Sequence, residues 1–432
     1  MARAARRVGR QAQGPGLRLV LFGAALLAAC ANPGDPPGGP PDTAPPTIVT
    51  VRPESGAVVP DWKDDAVIQF DEVIDEMGGG RGGDGAGIAG LARQVILSPV
   101  HGDVTVSWGR TRIRVKPKEG WKPGRVYHLE LLPGIVDLRR NTLKKGHLVV
   151  FSTGPAIPTA TLTGNAVQWV EQRSMVGALI EAVPLPDSVA YLTVADSAGR
   201  FHLDALPPGR YVVYATGDQN NNRRRDRREA YDSAAVTLDS LAGVTLFTFV
   251  HDTTGPRLRT GTVVDSLTVR LEFSQALGAP LDTAQVHVLQ LPDSTPVIVA
   301  AALTPRQYDS VTAAARKAAK PDSTRRDTAP PPPRVVAPRD TTPPRDTSTT
   351  RADTSELHRL LAERPVPFDK AVLRFATPLQ PETRYVIRVR GAVNLNGATG
   401  DGQVVVLTPK PAPTKADSTS NAPRPTPRPP ER

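Results

Sequence analysis

The feature that most constrains the fold is a series of short segments in which apolar and polar residues alternate. Between residues 47 and 154, Pro, Gly, Asn or Asp separate segments rich in β-branched and aromatic residues. They are Ala66–Phe70, Gln94–Val100, Asp103–Trp108, Arg112–Pro117, Val126–Leu132 and Leu148–Thr153. Alternation with period two places successive side chains on opposite faces of a strand, and about seven short strands in about 100 residues are typical of a β-sandwich.

The alternation continues in two further units. Residues 156–250 form the second unit, in which Ala190–Asp218 contains strand-like runs separated by Ser-Ala-Gly and Pro-Pro-Gly turns. The third unit repeats the first, because Pro123–Asn141 and Pro381–Gly397 share Pro-x-x-x-Tyr, a strand, and then Gly followed by Asp137 or Asn394. We therefore predict an all-β chain of tandem β-sandwiches, in which residues 252–304 and 366–408 form a split second copy of the first module.

Three low-complexity segments separate or follow these units. The 45 prolines of the chain are concentrated in residues 30–46, 305–365 and 409–432. These segments have too little apolar surface to offset the entropy of ordering the chain. We predict a flexible tether, a mostly disordered insert and a disordered tail. Within the insert, Ser355–Glu363 is compatible with one or two helical turns, with Ser355 as the N-cap.

The first 29 residues predict export. They contain five arginines, no acidic residue, and the apolar run Leu19–Ala29, which is too short to span a bilayer. The run ends in Leu-Ala-Ala before Cys30, which is the only cysteine and resembles the lipidation site of bacterial lipoproteins. We expect membrane attachment through lipid on Cys30, in the cell envelope. Because Ala31 gives no inner-membrane retention signal of the Asp type, we expect the outer membrane. The alternative is an ordinary signal peptide.

The basic charge does not indicate a nucleic-acid partner. The formal net charge is +10, and loss of the five leader arginines halves it. Aromatic residues make up 5% of the chain, whereas nucleic-acid binders group basic and aromatic residues together.

Two sequence resemblances sharpen the fold prediction. The opening from Cys30, the strand VIQFDEVI and the ending YHLELLPGIVDLRRNTL resemble the SbsA-type bacterial Ig-like domain, which occurs in envelope lipoproteins and S-layer proteins. The middle unit is similar to the prealbumin-like or carboxypeptidase-regulatory-like β-sandwich. The resemblance implies an Ig-like, a prealbumin-like and a split Ig-like module, which serve as spacers or as adhesion and assembly units and are not enzymes.

One loop has the residue spacing of a calcium site. Oxygen-bearing side chains occupy positions 1, 3, 5, 9 and 12 of a calcium loop, and position 7 would supply a backbone carbonyl. The candidate ligands are Asp218, Asn220, Asn222, Arg224, Asp226 and Glu229. Two features oppose tight binding: Arg223 occupies position 6, where the pattern requires Gly, and five arginines lie among the ligands. The alternative is a polar turn that bonds its own backbone.

The remaining candidate groups have simpler interpretations. The acidic run at Asp71, Glu72, Asp75 and Glu76 precedes a glycine-rich loop, and a solvated strand end is the favoured interpretation. The seven histidines are scattered singly, and His128 and His202 alternate with apolar residues, so we expect both to face solvent. We expect the four tryptophans to pack in cores or at strand edges rather than to form a glycan-binding platform.

The sequence therefore predicts a non-enzymatic, lipid-anchored envelope protein that acts as a structural or interaction scaffold, with an envelope protein or glycan as a possible partner. Two alternatives stay open. One is a calcium-stabilised adhesion or carbohydrate-binding surface lipoprotein, and the other is an accessory subunit of an envelope assembly or export machine. No cofactor other than Ca²⁺ is indicated.

Overall fold

The computed structural model describes residues 42–77, 90–318 and 356–410. Of the first 45 residues, 42–45 are described, and they form no helix or strand. The predicted signal peptide, Cys30, the glycine-rich loop at 78–89, and most of the predicted tether, insert and tail lie outside the described residues. Within the described residues the chain is an all-β protein of tandem β-sandwiches, as predicted.

The first sandwich pairs a four-stranded sheet, in the order β1-β2-β5-β4, with a three-stranded sheet, in the order β3-β6-β7. Alternate residues such as Ile68, Ile113, Leu129 and Phe151 lie between the sheets and are buried. The strands match the six predicted segments and add one before them. They are β1 (Ile48–Arg52), β2 (Ala66–Phe70), β3 (Val95–Ser98), β4 (Val104–Trp108), β5 (Arg112–Pro117), β6 (Val126–Leu131) and β7 (His147–Ser152).

The second sandwich is formed by one long sheet that folds on itself. Its order is β11-β10-β13-β14-β15-β8-β12, and the short β9 pairs with β8. Only two residue pairs join β14 to β15, and the two halves of the sheet enclose a core that includes Leu162, Ile180 and Val213. The strands are β8 (Ala160–Gln168), β9 (Arg173–Ser174), β10 (Leu179–Leu185), β11 (Tyr191–Val194), β12 (Arg200–Leu206), β13 (Gly209–Thr216), β14 (Ala230–Leu238) and β15 (Leu241–Val250).

The third sandwich has the strand order of the first. Its sheets run β16-β17-β21-β20 and β19-β18-β22-β23, so that β19 is the one strand without a counterpart in the first sandwich. The insert enters between β20 and β21, where the first sandwich has a short turn between β4 and β5. The strands are β16 (Leu258–Asp265), β17 (Thr268–Leu277), β18 (Val286–Gln290), β19 (Thr295–Val297), β20 (Val299–Leu303), β21 (Phe368–Phe375), β22 (Arg384–Val393) and β23 (Thr399–Leu407).

The repeated motif has the same hydrogen bonds in both copies. The hydroxyl of Tyr127 accepts from the backbone N–H of Lys122 at 2.8 Å, and that of Tyr385 accepts from the N–H of Gln380 at 2.8 Å. Asp137 and Asn394 each accept two backbone N–H groups from the turn that follows them. The duplication inferred from sequence therefore extends to strand order and to the buried polar contacts.

In the residues that the structure describes, helical structure is limited to short segments. One α-helix, α1 (Pro305–Ala318), follows β20, residues 356–361 form a short helical segment, and 3-10 turns cover Gly90–Gln94 and Thr283–Gln285. The helix at residues 305–318 differs from the expectation of disorder at the start of the insert. Its N-terminus has a reciprocal cap, because Thr304 Oγ1 accepts from the N–H of Gln307, whose side chain accepts from the N–H of Thr304. None of the helices in the described segments is long and apolar enough to cross a membrane.

The predicted solvent exposure of His128 is wrong, whereas His202 is exposed as expected. Strand β6 is covered on both faces, because its second face packs against the second sandwich rather than facing water. His128 is 1% exposed, its ring lies 5.0 Å from the ring of Tyr191, and its Nε2 lies 3.4 Å from the carbonyl oxygen of Ala205. Burial lowers the pKa of His128 to about 4, so the buried ring is neutral near pH 7.

Candidate functional site

The arginine loop, which we define as residues 217–229, joins β13 to β14 and contains the calcium-spaced residues. Its two ends are tied by carboxylates that accept backbone N–H groups. Asp218 Oδ1 accepts from Asn222 at 2.9 Å, and Asp218 Oδ2 accepts from Arg223 at 2.9 Å. At the other end, Glu229 Oε1 accepts from the N–H of Gln219 at 3.0 Å. Asp218 and Glu229 therefore order the backbone of the loop.

The middle of the loop is a second hydrogen-bond network. Asn220 Oδ1 accepts from the N–H of Asn222 at 3.0 Å, and Asn222 Oδ1 accepts from the N–H of Arg224 at 2.7 Å. The side-chain amides of both asparagines donate to Asp226 Oδ2, at 2.8 and 3.0 Å. The five predicted side-chain ligands thus lie in one network, and Arg224 lies at its edge. Every one of these side chains already has a hydrogen-bond partner within the loop, as the polar-turn alternative requires.

Arg223, at position 6, adopts a left-handed backbone conformation with φ 54°. A calcium loop of this spacing makes its sharp turn at the same position, usually with glycine. For a non-glycine residue that conformation is unfavourable by about 1–2 kcal/mol. The backbone therefore makes the turn that the sequence pattern demands, without the residue that favours it.

The side chain of Arg223 contacts the first sandwich. Its guanidinium donates to the carbonyl oxygens of Val95, Ala92 and Arg93, the last at 2.7 Å. Hydrogen bonds that involve a charged group contribute about 1.5–3 kcal/mol each. These contacts offset the unfavourable backbone of Arg223 and join the arginine loop to the segment 92–95.

Two further arginines of the loop also have partners outside it. The guanidinium of Arg224 lies 3.8 Å from a carboxylate oxygen of Asp103 in the first sandwich. The guanidinium of Arg225 lies 3.8 Å from the ring centroid of Tyr214, which is a favourable cation–π distance. Three of the five arginines are therefore directed towards groups outside the loop, which lowers the positive potential at the candidate ligands below what their number suggests.

The interface near Arg223 contains charged groups that are partly buried. Burial lowers the pKa of Arg223 to about 10, while the charges of Asp218 and Glu130 oppose that shift. Burial raises the pKa of Glu130, and a hydrogen bond with Thr193 and the charge of Arg223 oppose the rise. Arg223 and Glu130 are therefore partly desolvated groups of opposite charge that attract each other between the two sandwiches.

A second contact holds the insert against the middle sandwich. In the insert segment, which we define as residues 356–365, Leu360 and Leu361 pack against Val167 and Phe247, with Trp169 at the edge of this cluster. The indole N–H of Trp169 donates to the carbonyl oxygen of Pro365 at 3.1 Å, and Arg364 lies 4.6 Å from the ring centroid of Phe247. The outer face of β8 and β15 is thus covered by a segment that belongs to the third module in sequence.

Three of the other predicted candidates have the contacts of structural residues. Asp71 accepts hydrogen bonds from the backbone and hydroxyl of Thr47, and these bonds lower its pKa. Asp75 accepts from the N–H of Met77, as expected for a solvated strand end. Trp121 packs edge-on against Tyr127 and Phe151 in the first core, at 5.0 and 5.3 Å.

Sequence reasoning missed the residues that join the sandwiches. From the sequence, Arg223 is only a non-glycine residue at position 6 and a charge that repels a cation, and Leu360, Leu361 and Trp169 are not linked to one another. The Leu-Leu pair in an otherwise polar insert, followed by Arg and Pro, was a usable signal for a docked segment.

Comparison with known proteins identifies the first module. The family model described as "Bacterial Ig-like domain" matches residues 42–153. No curated protein matches this chain. Residues 42–153 are therefore similar to bacterial Ig-like domains, and the rest of the described chain is characterised by its fold.

Solved structures resemble the chain only distantly. BcpA, the major pilin subunit of Bacillus cereus, is 11% identical over 48% of this chain and 70% of its own, with a TM-score of 0.18. A DUF3823 family protein from Bacteroides uniformis is 9% identical over 58% of this chain and 100% of its own, with a TM-score of 0.17. The S-layer protein rSbsC(31-844) is 10% identical over 84% of this chain and 41% of its own, with a TM-score of 0.17.

Proposed function

We propose that this chain is a non-enzymatic scaffold protein of the cell envelope, anchored in the outer membrane through lipid on Cys30. The observation that carries the proposal is that the sandwiches contact one another through buried and charged side chains. Arg223 joins the first sandwich to the second, and Leu360 and Leu361 join the insert to the second. Such contacts suit a protein that holds binding surfaces at fixed relative positions, with an envelope protein or glycan as its partner.

Metabolic labelling tests the anchor. Cells that express the full chain would be fed radiolabelled palmitate, in parallel with a Cys30→Ser variant and an Ala31→Ser control. The proposal expects labelled protein in the outer-membrane fraction for the wild type and the control, and no label for Cys30→Ser. Equal labelling of the Cys30→Ser variant would contradict a lipid anchor at this residue.

The calcium-stabilised alternative is supported by the order of the arginine loop. Asp218, Asn220, Asn222, Asp226 and Glu229 lie in one network, and three arginines are directed towards groups outside the loop. In this alternative these five side chains and the Arg224 carbonyl bind Ca²⁺, and the protein is an adhesion or carbohydrate-binding lipoprotein. The accessory-subunit alternative predicts that the protein co-purifies with an envelope assembly or export complex.

Thermal unfolding with calcium and with chelator separates a metal site from a polar turn. Ligand binding to the folded state at a hundredfold excess over the dissociation constant stabilises by about 2.7 kcal/mol. Asp218→Ala should abolish that increase. Asp196→Ala is the matched control, because Asp196 also accepts two backbone N–H groups in a turn of the same sandwich but lies outside the arginine loop. The absence of a chelator-reversible shift at millimolar calcium would contradict the calcium alternative and leave the scaffold proposal unaffected.

A further inference from the structure

A cavity of about 430 Å³ lies between the first and second sandwiches. Ligand sites typically have volumes of about 300–1,000 Å³, occur between domains, and combine an apolar lining with a few convergent polar groups. One part of the wall is aliphatic and includes Val95, Ile96, Val100, Val104, Val106 and Leu192. The other part is polar and includes the guanidinium group of Arg223.

Positive charge is in excess at one side of the cavity. Lys118 and Arg224 both line it, and both approach the carboxylate of Asp103, at 2.9 and 3.8 Å. Two cations therefore share one carboxylate, which leaves an excess of one positive charge at this group. All three side chains are more than half exposed, so the excess charge lies at the solvent-facing side of the cavity.

An acidic residue, Glu181, also lines the cavity. Its Oε2 is buried and accepts no hydrogen bond. Burial raises the pKa of Glu181, although the charge of Arg225 opposes the rise. A carboxyl group in this position is more readily protonated than an exposed one, which makes the surrounding wall more compatible with an apolar ligand.

We propose that this cavity binds an amphiphile that has one anionic head group and an unbranched apolar chain. The chain occupies the aliphatic space between β3, β4 and β11, and the head group binds Lys118 and Arg224 at the solvent-facing side. A polyanion such as a nucleic acid is a poorer fit, because the carboxyl groups of Asp103 and Glu181 line the cavity together with its cations. The inference does not depend on lipidation of Cys30 or on calcium.

Two sources supply this chemistry, a free fatty acid and an anionic membrane phospholipid. Isothermal titration calorimetry of the full chain with dodecanoate, below its micelle concentration, tests the shared chemistry. Dodecyltrimethylammonium has an unbranched chain that is longer by one methylene group and a cationic head group, and it should bind at least about tenfold more weakly, as expected for the loss of about 1.4 kcal/mol. Equal affinity for both amphiphiles would contradict the role of the two cations.

Variants locate the binding site. Ala190→Phe narrows the cavity, and the double variant Lys118→Ala/Arg224→Ala removes the two cations; each should weaken dodecanoate binding about tenfold or more. The matched control is Lys116→Ala/Arg227→Ala, which also removes one lysine and one arginine. Lys116 lies in β5, two residues before Lys118, Arg227 lies in the arginine loop, and neither residue lines the cavity. Circular dichroism checks that each variant is folded. If both site variants bind like the control, or if dodecanoate releases no heat and leaves the amide resonances of Ile96 and Leu192 unchanged, the proposal is wrong.

Vesicles distinguish the two sources. Co-sedimentation would compare vesicles of phosphatidylglycerol with vesicles of phosphatidylcholine, for the wild type and the two double variants. A membrane phospholipid as ligand predicts that Lys118→Ala/Arg224→Ala lowers binding to phosphatidylglycerol alone. A free fatty acid predicts that dodecanoate binds while vesicle binding is the same for all three proteins.

Discussion

Substitution of Arg223 by Ala should weaken the contact between the first and second sandwiches more than any other single change in the arginine loop. The side chain donates to three carbonyl groups, is largely buried, and faces the charges of Asp218 and Glu130. Truncation leaves these carbonyl groups without their donor, which costs about 1–3 kcal/mol for each group that stays buried. Because water can reach part of this interface after truncation, we expect a loss below the sum for the three carbonyl groups, about 3 kcal/mol.

The backbone amide of Leu192 reports on this contact. It belongs to β11 of the second sandwich and donates to Ser98 Oγ of the first sandwich at 3.0 Å, so it is protected only while the two sandwiches are together. A loss of about 3 kcal/mol corresponds to exchange that is faster by a factor on the order of 100. Hydrogen exchange followed by nuclear magnetic resonance should show this increase in Arg223→Ala, and a smaller increase in Arg223→Lys, which keeps the charge but not the planar fork.

Arg227→Ala is the control for this experiment. Arg227 is exposed in the same loop, and an exposed substitution of this kind changes stability by less than about 0.5 kcal/mol. The Leu192 amide could instead exchange at the same rate in Arg223→Ala as in Arg227→Ala. That result would mean that Arg223 does not hold the two sandwiches together, and it would refute the energetic reasoning.

Three further predictions concern the cores and the interface. The pKa of His128 is about 4 in the folded state and 6.5 in the unfolded state. The neutral buried ring therefore contributes fully to stability above pH 6.5, and about 3 kcal/mol is lost as the pH falls towards 4. Urea unfolding between pH 7 and pH 4 should show this loss, and His128→Leu should remove that part of the pH dependence. Tyr127→Phe and Tyr385→Phe should each destabilise their sandwich by about 1–2 kcal/mol, since each leaves a backbone N–H without its acceptor, and equal stability to the wild type would contradict the shared motif. Gly164→Ala should destabilise the protein by more than about 3 kcal/mol, because the added Cβ would collide with a carbonyl oxygen and an aromatic ring. The control is Gly243→Ala, whose added Cβ meets no atom within 4 Å, and this variant should unfold at nearly the wild-type urea concentration.

The strands could be predicted because their signal is local. Segments such as Ala66–Phe70 and Arg112–Pro117 are strands with the predicted bounds, since alternating side chains and flanking turn residues are enough to specify a half-buried strand. The repeat of the first module was also visible, because Pro-x-x-x-Tyr reflects a hydrogen bond that both copies retain. The helix α1 was missed, although Thr304, Pro305 and Gln307 form a recognisable N-terminal cap.

The contacts between modules could not be predicted because their signal is not local. In the sequence, His128 has the alternation of a strand residue that faces water, and only the position of Tyr191 in another sandwich makes it buried. The directions of the Arg223 and Arg225 side chains depend on Ala92, Arg93 and Tyr214, none of which lies within the loop. A count of charges in the loop therefore could not give the electrostatic potential at the candidate calcium ligands.

The most direct test of the scaffold account is the distribution of distances between the first and second sandwiches in solution. Spin labels would be placed at Ser107 of β4 and Ser233 of β14, both exposed, in a chain in which Cys30 is replaced by Ser. Pulsed electron paramagnetic resonance should give one narrow distance distribution, which broadens in Arg223→Ala. A broad distribution in the parent protein would contradict the claim that these sandwiches hold a fixed relative position.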